Sequence, residues 1–254
     1  MNNKETLKRD IVLLFSTAFV AVLVYSYKLS EISFWIDEIQ TTTYIKESFW
    51  EMIRLVTQKE ACPPLYYIML HTAHLLGAND ELTLRIPSLL LAFFSIITIY
   101  FLAKELYSAR EGIISSFLLA ISPLFIICAR DARLYSFFIF INCLLSYLFL
   151  RAIRYEKFKD WLLYTAVLTL SFYGHYFVAY IGISQFIYLC ILCLLKEDTN
   201  VINKNKKEIF LNFILSGIIS TICFIPWIDN LLIQISRRHE IFLNISALQK
   251  IKNI

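Results

Sequence analysis

Charge is scarce in this sequence. Asp, Glu, Lys and Arg make up 17% of the 254 residues while 58% are hydrophobic, and the mean hydropathy is +0.63. A soluble domain of this size does not carry so little charge beside so much apolar surface, so the soluble classes are excluded and an integral membrane protein remains. The six cysteines lack a pattern. Cys128, Cys143, Cys190, Cys193 and Cys223 lie in or at the ends of apolar runs and Cys62 lies in a loop, which excludes a disulfide framework and a zinc spacing. Cys190-x-x-Cys193 reads as packing or lipid-facing thiols rather than a redox pair. A basic stripe is also missing: the net charge is +4, and the Lys and Arg residues fall in short clusters between apolar runs. Those clusters exclude a nucleic-acid partner and serve as topological signals. The sequence shows no internal repeat and no low-complexity tract.

What is present is a series of apolar runs. Lys4, Lys8 and Arg9 precede a run from Ile11 to Tyr27. That run is long and no small-residue cleavage site follows it, so it reads as a retained span with its N-terminus in the cytoplasm rather than a signal peptide. Further runs cover about Ile86 to Leu106, Gly112 to Cys128, Leu134 to Leu150, Trp161 to Tyr173, Phe177 to Leu195 and Ile209 to Trp227. Between Ser33 and Pro87 the sequence is mixed. Ile45, Phe49, Met52, Ile53 and Val56 recur at helical spacing opposite Lys46, Glu47, Glu51 and Arg54, the pattern of an amphipathic interfacial helix. Pro63-Pro64 then stops one helix and starts another. The segment Leu65 to Leu76 falls well short of the roughly 20 residues that a crossing needs.

The positive-inside rule decides the role of that short segment. If it does not span, the Lys- and Arg-rich segments Lys104 to Arg110, Arg151 to Lys159 and Lys196 to Lys207 all lie on the cytoplasmic side. The expected fold is therefore an all-α polytopic membrane protein with about seven transmembrane helices. One transmembrane domain covers 1–254, with juxtamembrane helices in a first outer loop over about 31–85. A polar, amphipathic tail over 229–254 holds Arg237, Arg238 and His239. The same parity gathers Asp37-Glu38, Arg85, the segment Ala129 to Tyr135 and Tyr173-Gly174-His175-Tyr176 on the outer face. Packing alone does not call for four polar segments at one place.

Those segments carry a resemblance. Trp35-x-Asp37-Glu38, Pro63-Pro64-Leu65-Tyr66-Tyr67, Arg85-Ile86-Pro87-Ser88, Ser122-Pro123, Arg130-Asp131-Ala132-Arg133-Leu134-Tyr135 and His175-Tyr176 occur in that order. Together they resemble the polytopic GT-C glycosyltransferases, among them the protein O-mannosyltransferases and the lipid A aminoarabinose transferases. The likeness covers about Phe34 to Tyr176 and extends more loosely to Trp227, the portion that forms the N-terminal half of such enzymes. Two positions depart from it. Cys62 stands before Pro63 where relatives often carry His or Lys, and Asp131 stands where many have Glu.

The resemblance implies transfer of a sugar from a polyprenyl-phosphate donor to an envelope acceptor (lipid, polysaccharide or protein), with inversion, on the external face. Such a reaction needs a base at the acceptor hydroxyl, with Asp37 the candidate and Glu38 orienting the acceptor or holding Asp37. It also needs cations at the phosphate that gains charge on leaving, for which Arg85, Arg133 and Arg130 are the candidates. Asp131 is a candidate for orienting the arginines, assisting the acceptor or, with Asp37, holding a divalent cation such as Mg or Mn. Tyr135, His175 and Tyr176 are candidate substrate contacts.

Plainer readings stand beside these. Asp37 and Glu38 also fit a solvated loop pair, and the arginines fit interfacial anchors that snorkel at helix ends. Tyr66, Tyr67, Tyr173 and Tyr176 fit an aromatic belt. His71 and His74 fit packed histidines better than a metal pair, and His175 equally fits a satisfied interfacial residue. The alternative functions are a transporter or flippase-like protein for a lipid-linked or anionic substrate, and an inactive glycosyltransferase fragment. Charges at helix ends and the lack of a repeat favour the enzyme over the transporter.

Overall fold

The computed structural model describes residues 3–194 and 206–237, and among them the regular structure is helical throughout. The first helix, α1, covers Asn3–Ser26 and runs through a 3-10 turn into a loop. Three short helices follow: α2 at Ile36–Ile45, α3 at Phe49–Lys59 and α4 at Leu65–Leu75. Then come α5 at Ile86–Leu106, α6 at Ala109–Ala120, α7 at Pro123–Arg130, α8 at Tyr135–Tyr155, α9 at Phe158–Phe172, α10 at Val178–Leu194 and α11 at Lys206–Phe224.

Among the described residues, four stretches are long and apolar enough to cross a membrane: Lys8–Glu31, α5, α8 and Lys206–Arg237. The pair α6 and α7 makes a fifth if it is one broken span. At 17 and 15 residues, α10 and α9 fall short of the usual crossing length. These helices account for every apolar run in the sequence, and α4 remains the short segment that the charge parity requires.

Three boundaries differ from expectation. The run Gly112 to Cys128 is not one straight helix but bends by 64° between α6 and α7. Ser122 is extended and Pro123 opens α7, because a proline tolerated at the first turn of a helix removes a bond from its interior. The amphipathic stretch around Ile45 to Val56 is two helices rather than one. α2 stops at Ile45, and Ser48 takes an extended backbone before α3, although the apolar spacing continues across the break. Beyond Trp227 the chain is helical again over 228–237, because Pro226 sits in a 3-10 turn that a helix can absorb. Arg238, His239 and most of the Lys196 to Lys207 segment lie outside the described residues.

Two helices set the framework. α5 and α8 pack along each other and run parallel, as ion contacts at both ends require. Near their N-termini Glu38 binds both Arg85, which precedes α5, and the backbone of Ala132, which precedes α8. Near their C-termini Arg154 of α8 pairs with Glu105 of α5 at 3.0 Å. The bent pair α6 and α7 provides the return path. One core joins α1, α5, α6 and α7 around Tyr25, Leu89, Ala92 and Phe125. A second joins α2, α3 and α4 to α8, α9, α10 and α11 around Tyr67, Leu145, Tyr164 and Phe213. At the α5 N-terminal end, Leu65 donates from its backbone to Tyr173 O at 3.0 Å, which ties α4 to the turn after α9. Asp37-Glu38, Arg85, Arg130 to Tyr135 and the turn at Tyr173 to Tyr176 therefore meet at one end of the bundle.

Candidate active site

The acidic pair occupies the first turn of α2, where free backbone N–H groups favour negative charge. Consecutive helical residues point about 100° apart, so the two carboxylates face different surroundings. Glu38 is fully buried, whereas the Asp37 side chain is 39% exposed.

Glu38 is a structural hub. Its Oε1 accepts from Arg85 Nε at 2.8 Å and from Ala132 N at 2.6 Å, and its Oε2 accepts from Arg85 Nη2 at 2.6 Å and from Trp35 N at 3.3 Å. Arg85 is 2% exposed. Besides its fork onto Glu38 it donates through Nη1 to Leu29 O and Ile32 O, at 3.0 and 2.7 Å, and through Nη2 to Ser33 O at 3.3 Å. A guanidinium has five N–H donors, and all five of these are engaged. The Phe34 ring covers the group with its centroid 5.2 Å from Cζ. Arg85, expected from the sequence as a phosphate ligand, therefore has no donor left for one.

Arg133 is arranged differently. Its Nη1 donates toward Thr41 Oγ1 at 2.7 Å, Glu60 Oε1 and Tyr67 OH at 3.3 Å, and Asp37 O at 3.4 Å. Its Nη2 lies 3.9 Å from Asp37 Oδ2, and its buried Nε finds no partner among the described residues. The edge formed by Nε and Nη2, the geometry that grips carboxylate or phosphate with two bonds, is thus uncommitted beside Asp37. Burial alone lowers the Arg133 pKa, but Tyr67, Glu60 and Asp37 outweigh it and raise the pKa above the ordinary arginine range. The Tyr67 phenol is in turn pushed well up, first by burial and then by Cys62 and Glu60, so it stays neutral.

The remaining candidates surround this pair. Arg130 ends α7, half-buried, and donates through Nη1 to Tyr25 O at 2.9 Å and Tyr27 O at 3.3 Å, which pins the end of α1. Asp131 follows it, also half-buried. Burial and then the Glu38 carboxylate push its pKa up to about 6, against a downward pull from Arg85, Arg133 and Arg130. Tyr135 is exposed at the start of α8. His175 packs against Phe138 in the first turn of α8, with ring centroids 4.6 Å apart and planes tilted by 40°, and its Nδ1 accepts from Phe177 N at 3.1 Å. Tyr176 faces another way, donating to Gln234 Oε1 at 2.5 Å and accepting from Trp227 Nε1 at 3.0 Å. The structure thus joins Asp37, Glu38, Arg85, Arg133 and Asp131 in one charge cluster and places His175 and Tyr176 at its periphery.

Thr41, Tyr67 and Glu60 complete the cluster, and no sequence motif assigns Thr41 or Glu60 to it. Glu60 did leave a signal: an acidic residue at the C-terminal end of a helix opposes the helix dipole and calls for a cation. Among the described residues no three His, Cys, Asp or Glu side chains come together to hold a metal ion, so Asp37 and Asp131 do not form a metal site with a third such ligand. His71 instead hydrogen-bonds Ile45 O through Nδ1 at 2.7 Å, and His74 hydrogen-bonds Ala78 O at 3.2 Å. Both are structural contacts.

The profile of the dolichyl-phosphate-mannose-protein mannosyltransferase family matches residues 61–229, more than half of the chain. The chain belongs to this family. It is a membrane glycosyltransferase of the GT-C type. The matched segment begins at Ala61, so it carries Arg85, Arg130, Asp131 and Arg133 while Asp37, Glu38 and Glu60 lie ahead of it. No curated protein and no solved structure matches the chain.

Proposed function

We propose that this family member transfers a sugar, mannose being the first candidate, from a polyprenyl-phosphate donor to a hydroxyl of an envelope lipid, polysaccharide or protein. The reaction runs on the external face of the membrane and inverts the anomeric carbon. The observation that carries the reading is the division of labour between adjacent carboxylates: Glu38 is locked on Arg85 while Asp37 stays half-exposed beside Arg133, whose buried Nε has no hydrogen-bond partner among the described residues.

In this mechanism the Asp37 carboxylate takes the proton of the acceptor hydroxyl as its oxygen attacks the anomeric carbon from the side opposite the phosphate. The bond between that carbon and the phosphate oxygen breaks, and its electron pair stays on the oxygen. The leaving polyprenyl phosphate becomes a monoester and gains negative charge, which the Nε and Nη2 edge of Arg133 neutralises with two bonds. Arg130 supplies further positive charge at the same end. Asp131 orients the two arginines, and Tyr135 and His175 border the substrate. Glu38 and Arg85 hold α2, α5 and the turn before α8 in register, which fixes Asp37 against Arg133.

The test uses the purified full-length protein in liposomes with radiolabelled polyprenyl-phosphate sugars, mannose first, and an envelope extract as acceptor. Transfer by the wild type, abolished in Asp37→Asn with lipid-donor binding retained, is the expected result. Donor binding without transfer under any acceptor, or transfer that survives Asp37→Asn, would overturn the catalytic assignment. Movement of the lipid across the bilayer without transfer would favour a transporter.

A further inference from the structure

Glu60 has no part in the mechanism so far, yet it is a buried carboxylate at a helix C-terminus with Arg133 on its side chain and Arg237 on its backbone carbonyl. It caps the C-terminal end of α3, the negative end of the helix dipole, and it is only 9% exposed. A carboxylate persists in such surroundings only with a charged partner. That partner is Arg133, at 3.3 Å.

The backbone around Glu60 is held independently of this contact. Glu60 N donates to Val56 O at 3.0 Å. From the far side, helix 228–237 clamps the same segment. Arg237 donates to Gln58 O and, at 2.5 Å, to Glu60 O, and Gln234 Nε2 donates to Cys62 O at 3.2 Å. The Glu60 backbone is thus held from two sides, and its carboxylate meets Arg133 Nη1 beside Thr41 Oγ1 and Tyr67 OH. A second anion competes for the same guanidinium, because Asp37 Oδ2 stands 3.9 Å from Nη2.

We propose that Glu60 is a positioning residue for transfer: by holding Nη1 of Arg133 it keeps the Nε and Nη2 edge turned toward a donor phosphate and stops it from closing onto Asp37. The inference rests on the glycosyltransferase reading above. Without the Glu60 charge, Asp37 is the nearest remaining anion. Arg133 then closes the gap, the edge is lost to the phosphate, and the base is tied up in an ion pair.

The experiment measures binding of undecaprenyl phosphate, which carries no sugar, to the full-length protein in detergent, together with transfer kinetics. The variants are Glu60→Gln, Asp37→Asn and the two combined. Glu60→Gln is expected to weaken binding about tenfold, the size of one lost charge-assisted hydrogen bond, and to lower kcat as well. In the Asp37→Asn background the carboxylate that faces Nη2 is gone, so adding Glu60→Gln should change binding less than about twofold. A merely structural role would weaken binding equally in both backgrounds, and that result, or unchanged binding in Glu60→Gln, overturns the proposal. Should Glu60→Gln not fold, Glu60→Asp carries the same comparison, with a smaller loss that again vanishes beside Asp37→Asn. A wild type that neither binds undecaprenyl phosphate nor transfers from any lipid-phosphate sugar refutes the glycosyltransferase reading itself, whereas normal wild-type binding with an indifferent Glu60 refutes only the positioning role.

Discussion

Replacing Glu38 by Gln should destabilise the whole bundle, while the same change at its neighbour Asp37 should leave stability intact. Glu38 is fully buried and accepts four hydrogen bonds, two of them from Arg85. Gln keeps the shape and one oxygen acceptor but removes the charge, so the Arg85 guanidinium, 2% exposed, is left buried without a counter-ion. Breaking one side of a buried ion pair costs about 3–5 kcal/mol. For a chain of this size each kcal/mol shifts the melting temperature by about 2–4 °C, so the expected fall is about 6–20 °C. Asp37 has one 3.9 Å charge contact and a half-exposed side chain, a combination worth less than about 1 kcal/mol. Thermal unfolding of the detergent-purified protein, followed by tryptophan fluorescence, separates the two. A Glu38→Gln protein melting within about 2 °C of wild type would refute the claim that Glu38 and Arg85 brace the site, and would return Arg85 to the set of available phosphate ligands.

Two further outcomes test other parts of the site. Asp131 has a folded-state pKa raised from 3.8 to about 6, so ionising it costs more in the folded protein than in the unfolded chain. The penalty is absent below about pH 4, grows as the pH rises toward 6 and is complete above it. Asp131→Asn should therefore raise the melting temperature at pH 8 and raise it much less at pH 4.5, and equal effects at both would contradict the assignment. At Gly174 an added Cβ would lie 2.2 Å from Phe137 Cε1, so Gly174→Ala must push the Tyr173 to Phe177 turn away from α8. The expected cost is about 1–3 kcal/mol, and combining it with Phe137→Leu should return part of it in the same thermal assay.

The helices and the common end of the site were legible because both follow from one-dimensional signals. Apolar runs fix where helices form, and the Lys and Arg clusters fix which loops share a side. Glu105 with Arg154 at one end and Glu38 with Arg85 at the other are the contacts that this parity implies. What the sequence hid depends on neighbours far along the chain. Arg85 and Arg133 both precede long helices and both stand in recognisable motifs. Only the carbonyls of Leu29, Ile32 and Ser33 saturate the first, and those carbonyls belong to a loop with no distinctive composition. The break between α2 and α3 was hidden for the opposite reason, since the apolar periodicity of Ile45 through Val56 runs straight across Lys46 to Ser48. Pro123 was visible as a motif residue, but whether a proline bends a helix or merely starts one depends on the extended Ser122 before it.

The adjacency of Asp37 and Glu38 acquires a physical reason from this arrangement. In the proposed mechanism a reactive carboxylate is held against a guanidinium, and it needs a rigid floor beneath it. One helical turn supplies both: the inward position reaches Arg85 and the Ala132 N–H, and the preceding position, about 100° round the helix axis, faces Arg133. The longer side chain takes the inward task, where it bridges α2, α5 and the turn before α8. The shorter one stays at the open side, close to its own helix N-terminus and within 3.9 Å of the cation. Any motion of α5 or α8 that shifts Arg85 or Ala132 therefore moves the Asp37 backbone as well, so the bundle transmits its own packing to the distance between Asp37 and Arg133.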